Sequence, residues 1–258
     1  MNNDQATSDA FLRLVNIMND LREKCPWDKK QTFESLRNLT IEETYELGDA
    51  ILKQDFQEIK EEIGDLMLHL IFYARMAAEQ GRFTLAEAID KECDKLIHRH
   101  PHVYGNIQVA DDKEVKQNWE KLKLKEGKKS VLSGVPQSLP ALVKAYRMQE
   151  KTKQVGFEWD HVDQVWDKVQ EEIGELREAV IDRHSQDKIE AEFGDVLFAL
   201  INYGRFIGVE AESALERVNQ KFKRRFEFIE GNAPKPLSDM TLQEMDHLWN
   251  EAKRNGIH

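Results

Sequence analysis

Glu171-Glu172-Ile173-Gly174-Glu175 and, further on, Glu192-Phe193-Gly194-Asp195 decide how this chain is read, because the pair occurs twice: Glu42-Glu43-Thr44-Tyr45-Glu46 and Glu62-Ile63-Gly64-Asp65 repeat it in the first half. In each copy Glu172/Glu175 and Glu192/Asp195, or Glu43/Glu46 and Glu62/Asp65, stand at i, i+3, which on a helix puts both carboxylates on one face. Between the two acid pairs there is room for one helix to end, turn and send back a partner. Four carboxylates converging on one point would raise one another's pKa unless a cation sat among them. Oxygen-only ligands suit a hard divalent ion, Mg²⁺ first and Mn²⁺ next.

The copies match well beyond the acids. Cys25-Pro26-Trp27-Asp28 parallels Phe157-Glu158-Trp159-Asp160, and Asp65 to Arg75 aligns without a gap on Asp195 to Arg205, both reading as buried helix. A period of about 130 residues marks a duplicated domain and not a short solenoid repeat. Apolar residues recur at helical spacing from Phe11 to Leu21, Ile41 to Leu52, Phe56 to Gln80 and Leu85 to His98, and convincing alternating strands are absent. The fold expected is all-α, two tandem helical bundles. The domains expected are residues 1–105, a linker at 106–138 and a second domain at 139–258. Pro101 should stop the helix before it, a short helix is expected around Val115 to Leu124, and a last helix, Thr241 to Lys253, should be capped by Ser238 or Thr241.

Composition narrows the class. Asp plus Glu outnumber Lys plus Arg by 48 to 37, and a net charge of −11 argues against non-specific nucleic-acid or membrane-surface binding. Two isolated cysteines, Cys25 and Cys93, give neither a disulfide framework nor a zinc pattern. The opening residues lack a basic segment followed by an apolar run, and no stretch reaches the length of a spanning helix, so a cytoplasmic protein is expected.

Several features carry less. Gly64 and Gly194 sit mid-helix at a cost of ~1 kcal/mol against alanine, which asks for close approach by a neighbouring helix or a ligand. Trp27 and Trp159 read as core anchors, the Tyr73–Arg75 and Tyr203–Arg205 steps as packing and surface charge, and the His98, His100, His102 group as a helix end. Neither copy has the Glu-x-x-His of di-iron bundles, and no phosphate-binding or nucleophile loop motif occurs. The halves differ in positive charge. Lys168 and Lys188 precede Glu172 and Glu192 by one turn, and Lys221 and Arg225 form a later basic pair. The first half has Leu39 and Glu58 at the two former positions, keeping Lys95 and Arg99 at the latter. A cation cluster beside four basic groups would neutralise a polyphosphate and a phosphoryl transition state.

CPWDKKQTFESL, EETYELGDAI, EEIGDLMLHLIFYARMA and HRHPHVYG, then GFEWD, KVQEEIGELREA, EAEFGDVLFALINYGR and KFKRRF, resemble the running text of the MazG family of nucleoside triphosphate pyrophosphohydrolases across almost the whole chain. The resemblance implies bundles completed by homodimerisation and Mg²⁺-dependent hydrolysis of nucleoside triphosphates to monophosphate and pyrophosphate with little base selectivity. It implies that Glu172, Glu175, Glu192 and Asp195 hold the metal, and that Lys168, Lys188, Lys221 and Arg225 bind phosphate. Trp249 would lie against the nucleotide. The second domain would be the catalytic one, with Glu43, Glu46, Glu62 and Asp65 a second metal-capable site. A competing reading is a nucleotide-sensing or partner-binding bundle that holds Mg²⁺ and ligand without turnover; a third is a structural adaptor that binds no metal.

Overall fold

The computed structural model describes residues 3–109, 111, 115 and 130–257, all helix, turn or connection with no strand among them. The helix expected around Val115 to Leu124 falls, Val115 apart, outside the described residues. The chain divides into two compact units, 1–108 and 109–258.

In the first unit α1 (Asn3–Lys24) is followed by a single 3-10 turn and then by α2 (Phe33–Lys53) and α3 (Phe56–Glu79), which form a helical hairpin. Two residues suffice for the turn because Gln54 takes a left-handed conformation and the Asp55 side chain caps α3 by accepting from Gln57 and Glu58 N–H. α2 starts well before Ile41: the Thr32 and Ser35 side chains and backbones cap each other reciprocally, a box with serine where glutamate is usual. α1 packs on α3, and Met18 of α1, Leu36 of α2 and Ile71, Phe72 and Met76 of α3 form one core cluster, with Leu39 and Tyr73 against it. α4 (Leu85–Arg99) ends just before Pro101, which opens the one-turn α5 (Pro101–Tyr104).

The second unit repeats the hairpin. After α6 (Ala141–Lys153), α7 (Val162–Ile181) and α8 (Gln186–Phe206) pair closely, joined through Arg183 at φ 55° and capped at Ser185. α9 (Ala211–Asn232) packs on α6 and, through Arg225 and Phe222, on α10 (Leu242–Arg254), which Thr241 caps. Residues Val131 and Gln137, on the sequence-expected linker, are tied to α6 by Lys151 and Lys144, whose ammonium groups donate to their carbonyls.

Three expectations are corrected. The aligned helices are not buried all round: Ile63, Met67 and Leu70 on α3 and their counterparts Phe193, Leu197 and Leu200 on α8 are exposed, while Ile71, Phe72 and Ala74, or Val196, Ala199 and Ile201, face inward. Trp27 and Trp159 are no core anchors, being 56% and 45% exposed. Arg205 is no surface charge: its side chain is 4% exposed and forks onto Glu158 at 2.6 and 2.7 Å. As for the mid-helix glycines, a Cβ on Gly64 or Gly194 would meet no described atom within 4 Å, so neither unit contains the close neighbour that the sequence called for.

Candidate active site

Helical spacing delivers the acids, and the hairpin brings them together. In the second unit Glu172 projects from α7 and Glu192 and Asp195 from α8, each with a carboxylate oxygen within 4.8 Å of the others'. Glu172 and Glu192 are buried, and Glu192 Oε2 has no hydrogen-bond partner among the described residues. Glu175 stands one turn on, exposed and outside this group of three, yet near enough that the charges of Glu172, first, and Glu192 push its pKa up. Lys168 donates to Glu171 at 2.8 Å and pairs with Glu172 at 2.7 Å; Lys188 pairs with Glu192. Both ammonium groups are held above the ordinary lysine range, Lys168 by its bonds to Glu171 and Glu172, Lys188 by Glu192.

The first unit brings Glu43, Glu62 and Asp65 together in the same way, within 4.8 Å, again without the fourth acid, Glu46. Its electrostatics differ. Leu39, at the position of Lys168, packs into the core, and Glu58, at the position of Lys188, pairs with Lys53 at 3.4 Å. Among the described residues no lysine pairs with these acids, and burial, a hydrogen bond shared with Glu62 and the charges of Asp65 and Glu46 push Glu43 up to about 7. Lys95 pairs with its neighbour Glu92. Among the described residues these are the two groups of three or more acid, histidine or cysteine side chains that come together, and His98, His100 and His102 are not one. His100 instead donates its Nδ1–H to the Leu96 carbonyl at the end of α4.

Arg225 and Trp249 form a separate assembly between α9 and α10, with Lys221 one turn before Arg225 on α9. Arg225 is buried, donates to the Ile257 carbonyl at 2.9 Å and lies 5.3 Å from the centre of the Trp249 ring; Trp249 in turn is 5.3 Å from Phe222. None of the three lines the openings around the acids.

What sequence reasoning missed is the wall of a cavity of about 500 Å³ that opens beside Lys168, Glu172 and Asp195. Phe157, Trp159, Phe198 and Asn202 line it, together with Glu158, whose carboxylate Arg205 of α8 grips at 2.6 and 2.7 Å. Only the match between CPWD and FEWD hinted at the loop that carries Phe157 and Trp159.

The fold and site together define an all-α protein whose duplicated helical hairpins each present a converging carboxylate cluster. A family model, the MazG nucleotide pyrophosphohydrolase domain, matches residues 31–104 and again 162–228, one hairpin each. The chain is 42% identical over 95% of its length to a nucleoside triphosphate pyrophosphohydrolase of Escherichia coli K12, covering 97% of that protein. It is 41% identical to the nucleoside triphosphate pyrophosphohydrolase/pyrophosphatase MazG of Thermotoga maritima, over 94% of this chain and 95% of the relative. A Bacillus subtilis protein, the uncharacterized YabN, is 44% identical over 94% of this chain, which spans 51% of that longer protein. The chain belongs to the MazG nucleotide pyrophosphohydrolase family.

Proposed function

We propose that this protein hydrolyses nucleoside triphosphates to the monophosphate and pyrophosphate at the second-unit cluster, with Mg²⁺ as the cation and little selectivity for the base. The observation that carries the siting is the difference between the two clusters: Glu172, Glu192 and Asp195 are flanked by Lys168 and Lys188, whereas Leu39 and Glu58 hold those two positions beside Glu43, Glu62 and Asp65. The donor set fits a hard divalent ion, being all carboxylate oxygen with one buried oxygen, Glu192 Oε2, that has no hydrogen-bond partner among the described residues. Such an ion supplies charge neutralisation for the triphosphate and a lowered pKa for the attacking water.

The chain's own groups do the rest. Glu172, Glu192 and Asp195 would hold the cation, with Glu175, whose pKa the charge of Glu172 raises most, at their edge. A carboxylate of this set accepts the proton of the water as it attacks in line. Lys168 and Lys188, which pair with Glu172 and Glu192, would bind the phosphate oxygens of the substrate. Lys221, Arg225 and Trp249 reach the nucleotide from a second protomer of a homodimer, since within one chain they stand apart from the acids. Glu43, Glu46, Glu62 and Asp65 form a weaker metal site without turnover.

Incubating the purified protein with ATP and Mg²⁺ and resolving the products tests this reading: AMP and pyrophosphate are expected, and ADP with phosphate, or bound nucleotide without product, would refute it.

A further inference from the structure

We infer that Gly256 and Ile257, in the turn that ends α10, are positioning residues for Arg225, an inference that rests on the proposed phosphate-binding role of that arginine and adds what aims it. A guanidinium meets phosphate through a planar fork of N–H donors, so its orientation matters as much as its charge. Two contacts set that orientation here. The Nε–H of Arg225 donates to the Ile257 carbonyl at 2.9 Å, and the guanidinium carbon lies 5.3 Å from the centre of the Trp249 ring. With Nε engaged by the carbonyl, the two terminal amino groups are left as a fork for a pair of phosphate oxygens. Arg225 is buried, yet among the described residues no carboxylate pairs with it, so its charge stays available to an anion.

The carbonyl reaches Arg225 because α10 ends in a Schellman turn. Ile257 N–H donates to the Ala252 carbonyl at 3.1 Å and Gly256 N–H to that of Lys253 at 3.2 Å, with Gly256 left-handed at φ 75°. Ala252 is wholly buried, which fixes the helix end from which the turn springs. A Cβ at Gly256 would meet no described atom within 4 Å, so this glycine serves conformation and not space. In the first unit Arg99, at the place of Arg225, is instead the last residue of α4, and the one-turn α5 follows.

The test alters the turn and leaves every phosphate-binding side chain in place. Gly256→Val strains a left-handed position that Gly256→Asn tolerates. Calorimetry of inorganic tripolyphosphate binding in Mg²⁺ should find Gly256→Val weaker by about three- to tenfold, the range expected when one long side chain must be ordered on binding, and Gly256→Asn close to the unaltered protein. In an Arg225→Met background, which has no Nε–H to hold, Gly256→Val should change the affinity by less than about twofold. The Arg225 Nε–H signal in a nitrogen-15 NMR spectrum should move in Gly256→Val and return in Gly256→Asn, whether or not Arg225→Met folds. Unchanged tripolyphosphate binding in Gly256→Val, the same loss on top of Arg225→Met, or an Nε–H signal that does not move would overturn the inference. Tripolyphosphate binding needs no turnover of ATP. Binding that depends on Gly256 in a protein that releases no AMP from ATP keeps the positioning role and removes the activity, and ATP cleavage with binding indifferent to Gly256→Val does the reverse.

Discussion

At the scale of single residues, the two halves solve one electrostatic problem in different ways. Clustered carboxylates need either cations or protons. Lys168 and Lys188 supply cations in the second unit, whereas Glu43 takes a proton in the first, with its pKa pushed up to about 7 from an ordinary value of 4.5. A carboxyl whose folded pKa exceeds its unfolded one stabilises the fold while both states are protonated, and that contribution is lost as pH rises through the folded value. Metal-free protein should therefore lose first-unit stability between about pH 4.5 and pH 7, by about 1 to 2 kcal/mol after solvent screening. Thermal unfolding across that window in chelator should show the fall, and Glu43→Gln should flatten it; a stability that rises with pH there would contradict the assignment. The acids themselves were legible from spacing alone, since i, i+3 fixes a shared helix face. Arg205 was not: its partner Glu158 is far away in sequence, and no local pattern marks an ion pair that only tertiary packing creates.

At the scale of elements, periodicity found the long helices and Pro101 and Thr241 found their ends, because apolar spacing and capping chemistry are local. The start of α2 escaped because Thr32 caps with Ser35 in place of the familiar acid, and because Phe33, Leu36 and Leu39 precede the run at Ile41. Burial was misread on α3 and α8 for another reason: an apolar residue does not say whether its partner lies in the same chain. α10 offers a test of capping. Glu244 accepts from the Thr241 N–H at 2.7 Å and hydroxyl at 3.0 Å and from Lys235 at 2.9 Å, and the Thr241 backbone bond, ahead of Lys235, holds its pKa down at about 2. A carboxyl with a depressed folded pKa stabilises above its unfolded value and loses that contribution as pH falls through the folded one. α10 should accordingly loosen between about pH 4.5 and pH 2. The fluorescence of Trp249, which rides on α10, should report it, and Glu244→Ala should show the loosened signal already at neutral pH. No change in Trp249 emission over that range would contradict the cap.

At the scale of the whole molecule, the duplication extends to what each unit leaves uncovered. Ile63, Met67 and Leu70 in one and Phe193, Leu197 and Leu200 in the other lie at i, i+4, i+7 and are exposed in matching register. Such a stripe on a single chain marks an interaction face, and the proposed homodimer would cover it. Burying one leucine is worth ~1.5 to 3 kcal/mol, so Leu197→Glu with Leu200→Glu should weaken association at least about tenfold. Sedimentation should find dimers of the unaltered chain and monomers of the variant at micromolar concentration; a stable monomer without the substitutions would contradict the proposal. The central claim is that one of two similar clusters does the chemistry. Hydrolysis of ATP with Mg²⁺, followed by phosphorus NMR for Asp195→Ala and Asp65→Ala side by side, tests it most directly. Asp65→Ala should yield AMP and pyrophosphate at close to the unaltered rate, and Asp195→Ala should lose at least about a hundredfold. Equal losses in the two variants, or a larger loss from Asp65→Ala, would contradict it.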